Sequence, residues 1–246
     1  DVSPVGVYPI TDPLAGSYAA LELQRYPKAG EANPKVRLGL VAATGGAPPM
    51  WVETGDEDGY LPRAGWAGDE RLWFERLNRD QTRLELCFAD ASSGRARVIL
   101  AEEHPAWVNV GDDPLFVDAE RFVWSSERDG WRHLYLVSTA GEVLRRLTRG
   151  EWEVERVVRL DDRGRVLLRG NAADPRRRHL FAVDLEGGEP VALTSGRGVH
   201  DADPAPGGRW LLMTSSDLET PPSLRLLDAA GRAVRVVHDG AISALA

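Results

Sequence analysis

The sequence predicts an all-β fold built from four similar units, and three observations carry that reading. Apolar residues alternate over short runs, as half-buried strands require, and almost no stretch has helical spacing. Clusters of Gly, Pro and Asp separate the runs: "GDE" at 68–70, "ASSGR" at 91–95, "DDRGR" at 161–165, "DLEGGEP" at 184–190 and "PAPGGRW" at 204–210. The runs also recur in order, with Leu84, Leu134, Leu180 and Leu224 at equivalent places and intervals of 50, 46 and 44 residues. A period in that range with about four strands per unit is the signature of a β-propeller.

Each unit can be justified in turn. The segments 82–100, 132–150, 178–196 and 222–240 share one pattern, an apolar strand, a small polar turn with Gly and a second strand, which in the last three closes on Thr-x-Gly or Asp-Gly. Upstream of each lies another apolar run, "RLWFERL" (71–77), "ERFVWSSE" (120–127), "RVLLRGN" (165–171) and "RWLLMTSS" (209–216), expected as the second strand of its blade. The blades are therefore expected at 60–104, 105–150, 151–197 and 198–240. A blade cannot bury its flat faces alone, so Trp66, Trp73, Trp124, Trp131 and Trp210 are expected mainly in the packing between blades.

Residues 1–59 are expected to form an incomplete blade with a long insertion. "RYPKAGEANPKVRLGL" (25–40) is too long for a hairpin turn. Pro27 and Pro34 hold it extended and Gly30 permits a bend. Residues 35–53 supply two further strands. An open propeller leaves unpaired edges, so the chain is expected to be part of a larger ring, and its abrupt start at Asp1 suggests a cut within a longer protein.

Composition narrows the functional classes. The 246 residues carry 43% hydrophobic and 28% charged residues, as in a soluble globular protein, and no apolar run approaches the roughly 20 residues of a membrane helix. A net charge of −8 argues against nucleic acid as a partner, and the Arg176-Arg177-Arg178 run reads as a solvated loop. Cys87 is the sole cysteine and reads as a small buried hydrophobe. His104, His133, His179, His200 and His238 are scattered, no G-x-S-x-G elbow occurs, and metal-ligand spacing is lacking, so neither a catalytic triad nor a cofactor is expected.

Five segments in order, "QRYPKAGEANPKVRLGL" (24–40), "YLPRAGWAGDERLWFERLNRDQTRLEL" (60–86), "WVNVGDDPLF" (107–116), "FVWSSERDGWRHLYL" (122–136) and "LTRGEWEV" (147–154), closely resemble the propeller of bacterial dipeptidyl peptidase IV enzymes, serine peptidases of the prolyl oligopeptidase superfamily. The resemblance runs from about Asp1 to Gly240. It implies a propeller that shapes peptide access to a C-terminal α/β-hydrolase domain. That hydrolase would carry a Ser-Asp-His triad, cleave after a penultimate proline and lie outside this chain, so the fragment itself is expected to be non-catalytic. It also implies that residues 24–40 are the return of a long excursion within one blade.

The family's paired glutamates, which hold the substrate amino terminus, would precede Asp1, so Glu102-Glu103 is expected to be a solvated strand end. By the same resemblance the loop in 106–116 reaches towards the cavity between propeller and hydrolase, making Asn109, Gly111 and Asp112 the candidate substrate-facing residues. Family members often carry a larger side chain at the place of Gly111, and a plain blade connector is the competing reading. The partners implied are the parent's own hydrolase domain, its peptide substrate and further copies of the chain through exposed blade edges. The competing function is an autonomous propeller acting as an interaction scaffold. Periplasm and cytoplasm both stay open.

Overall fold

Strand follows strand along the computed structural model, which describes residues 1–55, 58–68, 71–172, 174–206 and 208–241; the turns expected at 68–70 and 204–210 fall partly outside these. No helix occurs among the described residues. The chain divides into two units, 1–110 and 111–246.

The first unit opens with a hairpin of β1 (Val7–Asp12) and β2 (Ala20–Arg25), followed by a short pair, β3 (Gly39–Leu40) and β4 (Met50–Trp51). Residues 26–38 contain no strand, as Pro27 and Pro34 dictate, and Asp1 and Lys35 exchange main-chain hydrogen bonds across the excursion. A four-stranded meander follows: β5 (Ala64–Ala67), β6 (Arg71–Leu77), β7 (Arg83–Asp90) and β8 (Ala96–Glu103). The alternation in β6 and β7 places Leu72, Phe74, Cys87 and Ala89 on one face, where they pack with Val52, Leu38 and Leu40 from the β3–β4 pair. Burial pushes the Cys87 thiol up to about 11, so it stays protonated and inert near neutral pH.

The second unit repeats the meander three times. Its sheets are β9 (Leu115–Phe116) to β12 (Val143–Arg146) through β10 (Arg121–Ser126) and β11 (His133–Ser138); β13 (Val154–Leu160) to β16 (Val191–Ala192) through β14 (Arg165–Gly170) and β15 (His179–Asp184); and β17 (Val199–Pro204) to β20 (Ala233–His238) through β18 (Trp210–Ser216) and β19 (Ser223–Asp228). In all four meanders the predicted apolar runs are the second strands and the recurring leucines stand on the third.

The middle sheet of this unit is covered on both sides. Leu168 and Phe181 point into a cluster with Leu134, Leu136 and Leu147 of the sheet before it, and Leu167 and Leu180 into one with Ala202, Leu211 and Met213 of the sheet after it. Central strands buried on both faces read as continuous apolar runs, as "RVLLRG" does. The sheet β17–β20 instead alternates buried and exposed positions, and β20 is exposed throughout.

Turn chemistry sets the spacing between sheets. Asp90 accepts the N–H groups of Ser92 and Ser93, and Asp228 those of Ala230 and Arg232, closing the turns between third and fourth strands. Gly231 in the second of these turns has φ +81°, and a Cβ there would lie 2.1 Å from the Leu193 carbonyl oxygen of the preceding sheet. Only glycine fits that approach.

The tryptophans depart in part from the expected packing role. Trp73 and Trp124 are buried, but Trp66 on the first strand β5 and Trp131 in the β10–β11 turn are 52% and 39% exposed. Trp152, which was not among the expected residues, takes the packing role instead, with its ring centroid 5.9 Å from that of Phe181.

Candidate functional site

Of the three sequence-derived candidates, Asn109 belongs to the first unit and Gly111 and Asp112 to the second. In the first unit Asn109 is exposed and accepts a hydrogen bond from the Trp107 indole at 3.2 Å, while the neighbouring Val108 is buried and donates its N–H to the Gln81 carbonyl. In the second unit Gly111 and Asp112 are half-buried beside Ser125 and Arg132. The Asp112 carboxylate accepts the Val157 main-chain N–H at 2.8 Å and the Arg132 guanidinium at 3.1 Å. A Cβ on Gly111 would lie 2.5 Å from the Ser125 hydroxyl and 3.5 Å from Arg132. Gly111 and Asp112 thus meet around Arg132, and Asn109 belongs to a separate contact set.

Arg132 extends the site. It donates to the Glu155 carbonyl at 3.2 Å and stands 3.4 Å from the Ser125 hydroxyl. The Glu155 carboxylate on β13 is held by Arg178 and lies 3.6 Å from Arg169. Asp201 on β17 takes Arg169 at 2.6 Å and Arg156 at 3.2 Å. Arg159 donates to the carbonyls of Ala205 and Pro204. A belt of arginine forks and three carboxylates therefore follows the first strands of consecutive sheets, tying each to the next. Paired charges of this kind are suited to holding peptide carbonyls or carboxylates, since a guanidinium offers five donors in a planar fork.

Apart from Asp112, these arginines and acids were not singled out as site residues from the sequence, and Arg178, expected in a solvated loop, instead holds Glu155. The signal present was the run "VERVVRL", in which charged residues interrupt an otherwise buried-looking strand. Glu102 and Glu103 end β8, and Glu103 is exposed and paired with Arg83. Glu85 lies deeper: burial pushes its carboxyl up, but the Arg76 and Arg83 guanidiniums outweigh that and hold it below the ordinary range.

The histidines serve the fold. His104 Nδ1 accepts the N–H groups of Ala106 and Trp107. His133 is fully buried, its Nε2 2.9 Å from the Gly150 carbonyl and its Nδ1 2.9 Å from the Thr148 hydroxyl, which also accepts the Leu134 N–H. A carbonyl only accepts, so Nε2 carries the proton and Thr148 donates to Nδ1. His179, Thr194 and Leu180 repeat this cradle one sheet later. The recurrence of Thr-x-Gly in the sequence is its trace. Burial lowers the basicity of His133, His179 and His200. Among the described residues no group of three or more His, Cys, Asp or Glu side chains is placed to hold a metal ion.

Comparison with known proteins fits this architecture. The family model described as "Dipeptidyl peptidase IV (DPP IV) N-terminal region" matches residues 1–222. A probable dipeptidyl peptidase 4 of Aspergillus fumigatus is 28% identical over 197 residues, covering 75% of this chain and 25% of that protein. The inactive dipeptidyl peptidase 10 of Rattus norvegicus is 27% identical over 178 residues, covering 66% and 22%. The crystal structure of Porphyromonas gingivalis dipeptidyl peptidase 4 aligns with a TM-score of 0.86 at 27% identity, over 96% of this chain and 34% of that one. The chain spans about a quarter of the length of the curated relatives it matches. With a family match over residues 1–222 and a fold this close to a solved relative, the chain belongs to the dipeptidyl peptidase IV N-terminal region family, and its sheets are blades of that family's β-propeller.

Proposed function

We propose that this chain is the non-catalytic propeller region of a serine peptidase that releases N-terminal dipeptides, and that it shapes the path of the peptide to an α/β-hydrolase domain of the same polypeptide. The observation that carries this reading is the Arg–carboxylate belt on the first strands of consecutive blades, joined to the 106–116 connector through Asp112 and Arg132. It offers polar anchoring to a peptide main chain without a nucleophile and base in contact. In this account Asn109, Gly111 and Asp112 face the substrate path, and the blades run 60–104, 105–150, 151–197 and 198–240. The exposed β20 edge supports self-association.

The test compares two proteins. The complete polypeptide that carries this chain is expected to hydrolyse a chromogenic Xaa-Pro substrate and to lose that activity to a serine-directed inhibitor, while the 246-residue chain gives no turnover. Inhibitor-sensitive turnover by the isolated chain would overturn the non-catalytic assignment. A complete polypeptide without turnover would overturn the peptidase assignment and favour an interaction scaffold.

A further inference from the structure

Adjacent blades of the second unit meet along seams of one design. In the seam between the second and third blades the Val154 N–H donates to the Arg132 carbonyl at 2.9 Å; in the next, the His200 N–H donates to the Arg178 carbonyl at 2.9 Å. His200 therefore stands where Val154 stands one seam earlier. The rings on these seams differ accordingly. His133 meets Trp152 edge-on, centroids 5.2 Å apart, whereas His179 meets His200 in a stack at 4.8 Å and 20°.

The second pairing is buried and incompletely hydrogen-bonded. His179 and His200 are 3% and 8% exposed, and the buried Nδ1 of His200 has no hydrogen-bond partner. The His200 Nε2 donates to the Arg197 carbonyl at 3.1 Å, and His179 is held by the Thr194 hydroxyl and the Gly196 backbone. The charged groups felt by the pair are Arg177 on the His179 side and Arg225 of β19 on the His200 side. The flanking strands place Gly170 opposite His179 and Ser215 opposite His200. The nearby acids are already committed, Asp174 to Arg176 and Arg177, Glu219 to Arg197, and Glu155 to Arg178. His133, by contrast, has the Asp129 carboxylate near it as well as Arg146.

We propose that the seam between the third and fourth blades is an acid-sensitive clasp, closed while His179 and His200 are neutral and loosened when both take up protons. Two imidazolium rings stacked face to face between two arginines repel, and burial denies them water. The sign follows from linkage. Both rings bind protons less readily folded than unfolded, so the seam's stability is full above the ordinary histidine value near 6.5 and falls as pH drops below it. The seam at His133 and Trp152 holds a single ionisable ring and is the internal control.

Hydrogen exchange of the chain at pH 7.5 and 5.0, corrected for intrinsic rates, tests the clasp. Amides of 199–216 are expected to lose about tenfold more protection on acidification than those of 121–138, and His200→Phe or His200→Val, the residue of the preceding seam, is expected to remove the excess. Uniform loss across the blades, or an excess that persists in both variants, would overturn the proposal. Should neither variant fold, ring titration by NMR in the unaltered chain decides: His179 and His200 are expected to titrate below the ordinary histidine value of about 6.5, and titration at or above that value would overturn it.

Discussion

Asp112 accepts the main-chain N–H of Val157 at 2.8 Å, so a residue that precedes the first strand of one blade terminates a backbone donor on the first strand of the next. The same carboxylate holds Arg132 at 3.1 Å. One side chain thus fixes the connector, the arginine and the neighbouring blade together. Asp112→Ala leaves the Val157 donor and a half-buried guanidinium without this acceptor, and a loss of about 1–3 kcal/mol is expected. Asp112→Asn, which keeps an acceptor oxygen, is expected to cost less. Urea denaturation at pH 7 measures both, and equal midpoints for the two variants and the parent would refute the role.

Thr148 is expected to be among the least replaceable hydroxyls in the chain. It is 1% exposed and serves both His133 and the Leu134 N–H, so the near-isosteric Thr148→Val leaves two buried polar groups unpaired. A loss of about 2–4 kcal/mol follows. Thr148→Ser keeps the hydroxyl and is expected to lose about 1 kcal/mol, for the missing methyl alone. Thermal melts that rank valine at or above serine would contradict the cradle.

Gly111 is held small by Ser125. Gly111→Ala brings a methyl to 2.5 Å of the Ser125 hydroxyl and is expected to cost about 1–2 kcal/mol. Removing that hydroxyl in Gly111→Ala/Ser125→Ala is expected to recover most of the loss, and a double-mutant cycle reads the coupling. Strictly additive effects would show that the two positions do not meet.

The fold was legible in the sequence where the apolar runs were long. The strands β6, β10, β14 and β18 span six or seven residues each, enough for an apolar run to stand out against the Gly and Asp turns that bound it. Strands β9 and β16 pair over two residues only, too short to leave a pattern, and are fixed by the sheet they join. The contacts of the candidate site residues were not legible in the sequence. Gly111 and Asp112 were singled out through the connector's resemblance to a family segment, but the partners of Asp112 lie 20 and 45 residues away: the β10–β11 connection of its own blade brings Arg132 to it, and the packing of the next blade brings Val157. The aromatic role moved as well: Trp152 precedes β13 and packs in the seam, while Trp66 on β5 is exposed.

The most direct test of an access-shaping propeller is how peptide length enters the kinetics of the complete polypeptide. Asn109→Ala removes an exposed side chain whose loss disturbs little packing. It is expected to raise KM severalfold for Xaa-Pro peptides of about ten residues, with kcat held and the rise vanishing as the peptide is shortened. Identical KM values for variant and parent at every length would contradict the proposed path past the 106–116 connector.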